Sequence, residues 1–520
     1  MSNSHKKQLI NNTLWVYAGK IITQVIGLVA TILVIRKLPV ETYGAYTFLF
    51  GLFFVYQLFI TSPIKNVILR YVPELVVARS YVIVRKLVLY SHFFAIAFIG
   101  LFSFLLYIFQ EDFASFFNFP DFKIYFAAFI VFVFCYALKV MSETIIASFL
   151  KHPISAKANV VVVVVRSSLY LYFLSDISVD LLLYVEALVS VLFFVIVLRA
   201  MIAELVKKDA EVQEQGTELG LIKNRVLRFY SLSFFSELGY GIIGKTSDQY
   251  IIAAISSPFY VGLYGFALKI YEMFYKVLPF REFESVLKPV FFKRFSKTTD
   301  DREINAFYNF SIKVLLPLFI FPVLYFFIFG KGIIIHVFEA KYLPAYWVAC
   351  VSLFGLIFQG LFYPLNLVIQ LKERVEINLY SRIVVIFSIA AGVYAMQYWG
   401  IVGVAAATVT GELLKNLLML FMIRKYQIIK YDKVLLIRYG FISILMLIVF
   451  VPFMVNLESV LGLLLGSMIF SFLWLLLLIN FHPLNDLEVT KLKEVLAGNK
   501  RIKKILKPLA SLLRVVILIK

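Results

Sequence analysis

Polar and ionisable side chains occur at helical spacing inside three long apolar stretches of the chain. They are Lys20, Gln24 and Thr31 in the first stretch, Glu237, Lys245 and Asp248 in the second, and Lys269, Glu272 and Lys276 in the third. Within each stretch these positions fall on one face of a helix. Ionisable groups are costly inside a membrane and normally face a bundle interior or a water-filled cavity. The spacing therefore predicts that the three stretches line a polar cavity.

The lysines of these faces could bind an anionic substrate. Fixed ammonium groups offset the negative charge of a diphosphate, whose oxygens accept charge-assisted hydrogen bonds. On this interpretation the substrate-binding residues are Lys20, Gln24, Lys245, Lys269 and Lys276. The alternative is that the lysines of the second and third stretches only neutralise acidic neighbours on their own helices.

The carboxylates of the same faces allow a second role. Glu237, Asp248 and Glu272 could each bind a proton or a sodium ion that drives transport. Asp248 and Glu272 also lie three residues from a lysine, which is the spacing of an intrahelical ion pair. The sequence leaves coupling and simple pairing open as alternatives.

Charged residues in three other apolar stretches favour structural ion pairs. The expected pairs are Lys139 with Glu143, Glu412 with Lys415, and Arg166 with either Glu143 or Glu186. The first two have i,i+4 and i,i+3 spacing, which brings the side chains together on one helix. No catalytic residue, metal site or cofactor is expected, because the histidines are scattered and both cysteines lie in apolar runs.

The elements that position these residues must cross a membrane. Hydrophobic residues make up 62% of the chain, charged residues 16%, and the mean hydropathy is +0.90. A soluble protein would have about 45–50% apolar and about 25% charged residues. The first apolar stretch, at 9–35, is too long for the core of a cleaved signal peptide. The composition predicts an integral membrane protein whose first span is retained.

Hydropathy predicts fourteen spans of about 20 residues each. They are 9–35, 44–68, 87–109, 122–149, 155–175, 180–203, 229–255, 260–281, 307–330, 344–370, 376–398, 401–423, 434–455 and 457–480. Most of the 51 Lys and Arg residues fall in loops on one side, and Arg36, Lys37, Lys123, Lys331 and Lys341 fall on the other. The positive-inside rule then places both termini in the cytoplasm. The protein is accordingly expected in the cytoplasmic membrane.

A short phrase recurs in the chain and predicts an internal repeat. Gly44, Tyr46 and Phe48 recur in the same order and spacing as Gly262, Tyr264 and Phe266, each set between two spans. "FLK" at 149–151 and "QLK" at 370–372 each close a fourth span. Both copies of each phrase lie on the same side, which makes the repeat parallel. The glycine is expected at a tight turn or close helix approach, and the aromatic residues at the lipid–water boundary.

The predicted fold is an all-α membrane protein with two parallel-repeat lobes around a central cavity. The parts are an N-lobe at 1–203 (spans 1–6), a cytoplasmic linker at 204–228, a C-lobe at 229–425 (spans 7–12), spans 13 and 14 at 426–480, and a tail at 481–520. The tail interleaves lysines with leucine and isoleucine, which predicts a basic amphipathic helix on the anionic lipid leaflet. The basic net charge is therefore assigned to topology and lipid contact, and no nucleic-acid partner is expected.

The segment "NTLWVYAGKIITQVIGLVATILVIRKLPVETYGAYTFLF" resembles the start of the polysaccharide (oligosaccharide repeat-unit) flippases. These belong to the multidrug/oligosaccharidyl-lipid/polysaccharide (MOP) exporter superfamily, which includes the MATE transporters. The resemblance implies a transporter that moves polyprenyl-diphosphate-linked oligosaccharide from the cytoplasmic to the outer leaflet. It also implies glycan polymerases or glycosyltransferases as partners in surface polysaccharide biosynthesis.

Two other functions are less consistent with the residues. The resemblance implies that a MATE-like drug or organic-ion antiporter binds cations with membrane-embedded acids of its N-lobe, but the first two spans of the N-lobe here contain Lys20 and Lys65 and no acid. A membrane glycan polymerase or ligase typically needs a large outer loop with catalytic groups, and the outer loops here are short. No phosphate-cradling glycine motif is present, so ATP is not expected to be the direct energy source.

Overall fold

The computed structural model describes residues 23–206 (except Arg79), 219–241, 245–278, 301–374, 376–452 and 459–481, together with isolated positions between 280 and 295. Every long regular element in those residues is a helix, and ten of the helices are long and apolar enough to cross a membrane. The protein is therefore a multi-pass membrane protein. The predicted basic tail lies outside the described residues.

The helices of the first half agree with predicted spans 3 to 6, the helix at span 2 is longer than predicted, and only the end of span 1 lies in the described residues. They are α1 (23–37), α2 (Val40–Tyr56), α3 (Ser62–Val77), α4 (Tyr81–Ile108), α5 (Gln110–Phe116), α6 (Phe122–Ser148), α7 (His152–Tyr172) and α8 (Val179–Leu205). A π-helical turn at Gln57–Thr61 joins α2 and α3 into one long helix. Ser178 begins α8 by accepting a hydrogen bond from the backbone N–H of Leu181 at 3.3 Å.

The second half continues the same pattern. Its helices are α9 (Leu219–Gly241), α10 (Lys245–Ile255), α11 (Pro258–Val277), α12 (Asp301–Ile333), α13 (Tyr346–Leu371), α14 (Glu376–Ser381), α15 (Ile383–Ile423), α16 (Lys433–Phe450) and α17 (Val460–Phe481). The predicted seventh span comprises most of α9 together with α10. Spans 11 and 12 meet at a kink in α15, where Gly400 has φ 55°, a conformation that glycine adopts without steric cost.

The chain forms two compact units, residues 1–265 and 266–520, which divide inside α11. In the first unit α6 packs against α8 and α7, and α3 packs against α9. In the second unit α12 packs against α13, and α13 against α15. The boundaries of the two lobes and of the linker stay a prediction.

Two asparagines of α12 fix the segment that leads into the last two spans. Asn305 donates to the backbone oxygen of Ile428 and accepts from the N–H of Lys430, both at 2.9 Å. One helical turn later, Asn309 donates to the oxygen of Lys430 at 2.8 Å and accepts from the N–H of Asp432 at 2.9 Å. Each side-chain amide thus donates to one backbone oxygen and accepts from one backbone N–H, as the backbone of a neighbouring β-strand would. Asp432 then caps α16, which packs with α17 on α12.

The repeated glycines meet each other in the first unit. A Cβ on Gly44 would lie 1.9 Å from the backbone oxygen of Pro258, and a Cβ on Gly262 would lie 2.1 Å from that of Val40. Val40 precedes Gly44 by the same four positions as Pro258 precedes Gly262, so the contact is reciprocal. The glycines of the repeat thus allow α2 and the start of α11 to touch backbone to backbone.

The repeated phenylalanines are buried, so the prediction that they lie at the lipid–water boundary is wrong. Phe48 is 3% exposed, and its ring centroid lies 5.3 Å from that of Phe117, just after α5. Phe266 is fully buried and lies 5.0 Å from Phe338, in the π-helical turn Ile334–Phe338 that follows α12. Each phenylalanine therefore packs on the short helical segment after the third span of its own copy.

The ends of the two fourth spans confirm the repeat and correct its register. After α6, Leu150 is left-handed (φ 59°), and the N–H of Lys151 donates to the oxygen of Ile146 at 3.1 Å. After α13, Glu373 is left-handed (φ 53°), and the N–H of Arg374 donates to the oxygen of Ile369 at 3.0 Å. This is one C-terminal cap used twice. Leu150 thus corresponds to Glu373, two residues beyond the match suggested by "FLK" and "QLK".

The predicted orientation can be tested with reporter fusions at the helix connections. Reporters that are active only outside the cytoplasm should be active when fused near Phe117, Asp176 or Glu339, which follow α5, α7 and α12. The same reporters should be inactive near Gln213 or Lys297, because those segments belong to the basic side. Reversed activity at both sets of positions would overturn the orientation.

Candidate functional site

The polar face predicted on α11 forms a continuous ion triad. The ammonium of Lys269 lies 3.1 Å from one carboxylate oxygen of Glu272, and that of Lys276 lies 2.6 Å from the other. All three side chains are partly exposed, between 31% and 50%. Two lysines share one carboxylate, so the triad has a net charge of about +1. It can therefore still attract an anion, although its lysines are not free of acidic partners.

A polar and aromatic surface accompanies the triad in the second unit. The rings of Tyr271 and Tyr275 stack with centroids 6.1 Å apart and planes 5° apart. Gln359 on α13 donates to the Tyr271 hydroxyl at 3.1 Å, and its own carbonyl oxygen is buried without a hydrogen-bond partner. Stacked tyrosines and a spare amide oxygen are groups that could contact a sugar. No sequence pattern pointed to Gln359, since a lone glutamine in a span has no helical or motif spacing to mark it.

Asp248 lies in the first unit against the tyrosine of the second copy of the repeat, Tyr264. The carboxylate is 4% exposed and accepts a hydrogen bond of 2.5 Å from the Tyr264 hydroxyl on α11. The neighbouring Tyr250 hydroxyl is buried with no hydrogen-bond partner. Lys245 begins α10, but its side chain lies outside the described residues. Whether Lys245 pairs with Asp248 stays a prediction.

Glu237 on α9 contacts a residue that the sequence did not single out. Its carboxylate accepts a hydrogen bond of 3.0 Å from the side-chain amide of Asn66 on α3. Asn66 lies one turn beyond the π-helical turn at Gln57–Thr61, a distortion that often marks functional sites. The irregular hydrogen bonding of this helix depends on packing, so hydropathy gives no sign of it.

The first polar face is only partly described. Lys20 lies outside the described residues. Gln24 on α1 is exposed, and the hydroxyl of Thr31 donates a hydrogen bond of 2.7 Å to the backbone oxygen of Gly27. That internal bond satisfies the hydroxyl without a substrate. A role for Gln24 and Lys20 stays a prediction.

A further ionic cluster, built around a buried carboxylate, occurs where structural pairs were predicted. Arg166 on α7 lies 3.4 Å from Glu186 on α8, which also accepts a hydrogen bond of 2.8 Å from the Tyr170 hydroxyl. Glu186 is 7% exposed. The structure thus selects Glu186 over Glu143 as the partner of Arg166. Tyr170 was not anticipated, although it lies one turn after Arg166 on the same face of the helix.

Of the two intrahelical pairs predicted elsewhere, one forms. Lys415 contacts Glu412 on α15 at 3.1 Å, as predicted. The Lys139 ammonium instead lies 5.2 Å from the ring centroid of Tyr136 and 5.7 Å from that of Phe193. Glu143 accepts a hydrogen bond from Asn159 on α7 at 3.0 Å. The prediction of a Lys139–Glu143 pair is therefore wrong for the described α6, because a cation–π surface and a neighbouring amide lie within reach.

Comparison with solved structures identifies the fold. The lipid II flippase MurJ in an inward closed conformation matches with a TM-score of 0.67 and 15% identity, over 88% of this chain and 98% of that chain. An inward-facing multidrug resistance MATE family transporter of the MOP superfamily matches with a TM-score of 0.60 and 14% identity, over 77% and 94%. The chain has the MOP/MATE-like fold. This confirms the predicted fold class, and at such identities the likeness shows the fold alone.

Comparisons of sequence give no further assignment. No protein family model matches the chain, and no curated protein matches it. Among the described residues, no group of three His, Cys, Asp or Glu side chains could hold a metal ion. The function therefore has to be argued from the polar groups and the fold together.

Proposed function

We propose that the protein is a flippase that moves a polyprenyl-diphosphate-linked oligosaccharide from the cytoplasmic to the outer leaflet. Surface polysaccharide biosynthesis would use the product, with a glycan polymerase or a glycosyltransferase as partner. The observation that carries the proposal is the Lys269–Glu272–Lys276 triad on α11, a helix that the sequence predicts to span the membrane. A second support is the fold, which a lipid II flippase shares.

The triad suits a substrate with a charged head and a lipid tail. A diphosphate oxygen can take over the hydrogen bonds that Glu272 now accepts from Lys269 and Lys276, because both anions accept charge-assisted bonds. Tyr271 and Gln359 add groups to which sugar hydroxyls can bind. Lys20 and Lys245 would extend the positive lining, and the acids Glu237 and Asp248 would serve ion coupling.

A MATE-like antiporter is the second candidate, favoured by one specific observation. Asp248 and Glu186 are buried carboxylates in the first unit, and buried acids are the groups with which a protein binds protons or organic cations. The likeness to a MATE transporter fits this function as well as it fits a flippase. The net positive charge of the α11 triad favours the anionic substrate.

The experiment that tests the proposal removes the protein from its cells. We expect polyprenyl-diphosphate-linked oligosaccharide to accumulate in the cytoplasmic leaflet, because a diphosphate–sugar head cannot cross about 30 Å of hydrocarbon unaided. Surface glycan should fall in parallel. The accumulated lipid should resist an external glycosidase in intact cells and become sensitive after lysis.

Re-expression of the intact chain is the control and should restore surface glycan. Normal surface glycan without any accumulated lipid intermediate would end the flippase proposal. If sensitivity to toxic cations changed while surface glycan stayed normal, the antiporter would be the better assignment.

A further inference from the structure

The connection between α4 and α6 is more than a turn. Residues 110–119, called the latch below, contain the short helix α5 followed by Phe117, Asn118 and Phe119. The N–H of Phe119 donates to the oxygen of Ala114 at 2.8 Å and closes the end of α5. At the start of α6, Lys123 donates to Glu111 at 2.5 Å, and this hydrogen bond lowers the pKa of the Glu111 carboxyl. The latch is therefore an ordered segment that is closed by its own backbone and tied to the start of α6.

Asn118 fastens the latch to a distant helix. Its backbone is left-handed with φ 48°, a conformation that asparagine tolerates better than most residues. Its side-chain amide donates to the backbone oxygens of Ala253 at 3.3 Å and Ala254 at 3.2 Å. These are among the last carbonyls of α10, which have no partner within their own helix. One side chain thus caps a helix that begins more than a hundred residues later in the chain.

A cluster of aromatic rings packs beside the contact that Asn118 makes. The ring of Phe48 on α2 lies 5.3 Å from Phe117, 5.4 Å from Phe119 and 5.6 Å from Tyr250 on α10. Phe117 and Tyr250 are themselves 5.8 Å apart. These contacts lie beside the Gly44–Gly262 crossing, so α2, α10 and the start of α11 are all held at one end.

The corresponding segment of the second copy has a glutamate where the latch has Asn118. Its left-handed residue is Glu339 (φ 116°), whose carboxylate contacts Lys341 two residues later at 3.0 Å. Phe338 packs on Phe266, as Phe117 packs on Phe48. The aromatic contact is thus common to both copies. In the described residues, an asparagine of this connection caps another helix in the first copy, and the second copy has Glu339 at that position.

We propose that the latch is a releasable fastener which keeps α10 and the start of α11 against α2, at the end of the first unit where lysines and arginines are few. A transporter that works by alternating access must open each end in turn. Two amide–carbonyl hydrogen bonds and a few ring contacts are weak enough to break and reform within a transport cycle. The proposal rests on the protein being a transporter, whatever its substrate.

The test measures how often the fastener opens, without any substrate. In a background with Cys135→Ala and Cys350→Ala, the buried Ala253 is replaced by cysteine, and its rate of maleimide labelling is measured on the purified protein. Asn118→Gly keeps the left-handed backbone and removes the amide, so labelling should accelerate about fivefold or more. Phe117→Ala should accelerate it as well. Ser115→Ala removes an exposed hydroxyl from the same segment and should leave the rate unchanged.

A second variant tests the need for release. Cysteines at positions 118 and 254, joined by a short bis-maleimide, should block the restoration of surface glycan, whereas either single cysteine treated alike should not. Unchanged labelling in both Asn118→Gly and Phe117→Ala would overturn the latch, as would full activity of the cross-linked protein. If the labelling behaves as expected but loss of the protein leaves surface glycan normal, the latch stands and the flippase assignment fails.

Discussion

Replacing Lys269 and Lys276 together by glutamine should lower flipping by about tenfold or more, while the amount of protein in the membrane stays near normal. Each lysine can offer a charge-assisted hydrogen bond to the diphosphate, and such a bond contributes about 1.5–3 kcal/mol, where 1.4 kcal/mol is a factor of ten. The measurement is surface glycan and accumulated lipid-linked oligosaccharide in cells that carry only the variant. Arginine at the same positions keeps the charge and should retain part of the activity.

Removal of both lysines leaves Glu272 without its partners, and an unpaired carboxylate in a membrane span is itself destabilising. The triple variant with Glu272→Gln removes that cost and separates the two effects. If it recovers membrane abundance but not flipping, the lysines act on the substrate. Lys415→Gln with Glu412→Gln is the matched control, because this pair has the same spacing in the same unit and a predicted structural role.

Full recovery of flipping in the triple variant would show that the triad is a structural pair and would remove the main support for an anionic substrate. The same design applies to Lys20→Ala and Lys245→Ala. Both are expected to reduce flipping with near-normal abundance, because their charges are predicted to lie along the path of the diphosphate.

Replacing Gly44 or Gly262 by alanine should strongly destabilise the protein. The new Cβ would lie 1.9 Å or 2.1 Å from a backbone oxygen of the facing helix, so the helices themselves must separate. Forced overpacking typically costs about 1–3 kcal/mol, and here a flexible side chain cannot absorb it. Thermal unfolding of the purified variants should occur several degrees lower, and less protein should reach the membrane.

Gly100→Ala provides the control for this experiment. Gly100 also lies inside a spanning helix, but a Cβ there would meet nothing within 4 Å. Its substitution should leave the unfolding temperature unchanged or raise it slightly, because alanine favours helix more than glycine does. Equal effects at Gly44, Gly262 and Gly100 would show that the close approach of the backbones does not matter for stability.

The sequence alone determined where the spans lie and which of their faces are polar. Both properties are local: a run of about 20 apolar residues marks a span, and a period of 3.6 residues marks a face. The order Lys269, Glu272, Lys276 therefore predicted one polar face before any packing was known, and it left open whether these side chains pair with one another. The repeated phrase around Gly44 and Gly262 predicted the two copies of the fold for the same reason, because similar local sequences form similar local structures.

Only the tertiary structure decided which partners those faces meet. Arg166 could reach Glu143 or Glu186, and the rotation of α7 against α8 selects Glu186. Lys139 lies over aromatic rings although Glu143 has ideal spacing on the same helix, because side chains of neighbouring helices compete with those of its own. Hydropathy carries no information about the rotation of one helix against another.

The repeated aromatic residues show the same limit. Their positions suit a membrane boundary, yet Phe48 and Phe266 are buried against segments that follow the third span of each copy. The first of those segments has the sequence of a polar connection, because Glu111, Asp112, Ser115 and Asn118 interrupt its aromatic residues. The contact between Gly44 and Gly262, the capping of α10 by Asn118, and the asparagine pairing at Asn305 and Asn309 all join residues far apart in the chain. Such contacts depend on how the helices pack together, which the local pattern of residues does not specify.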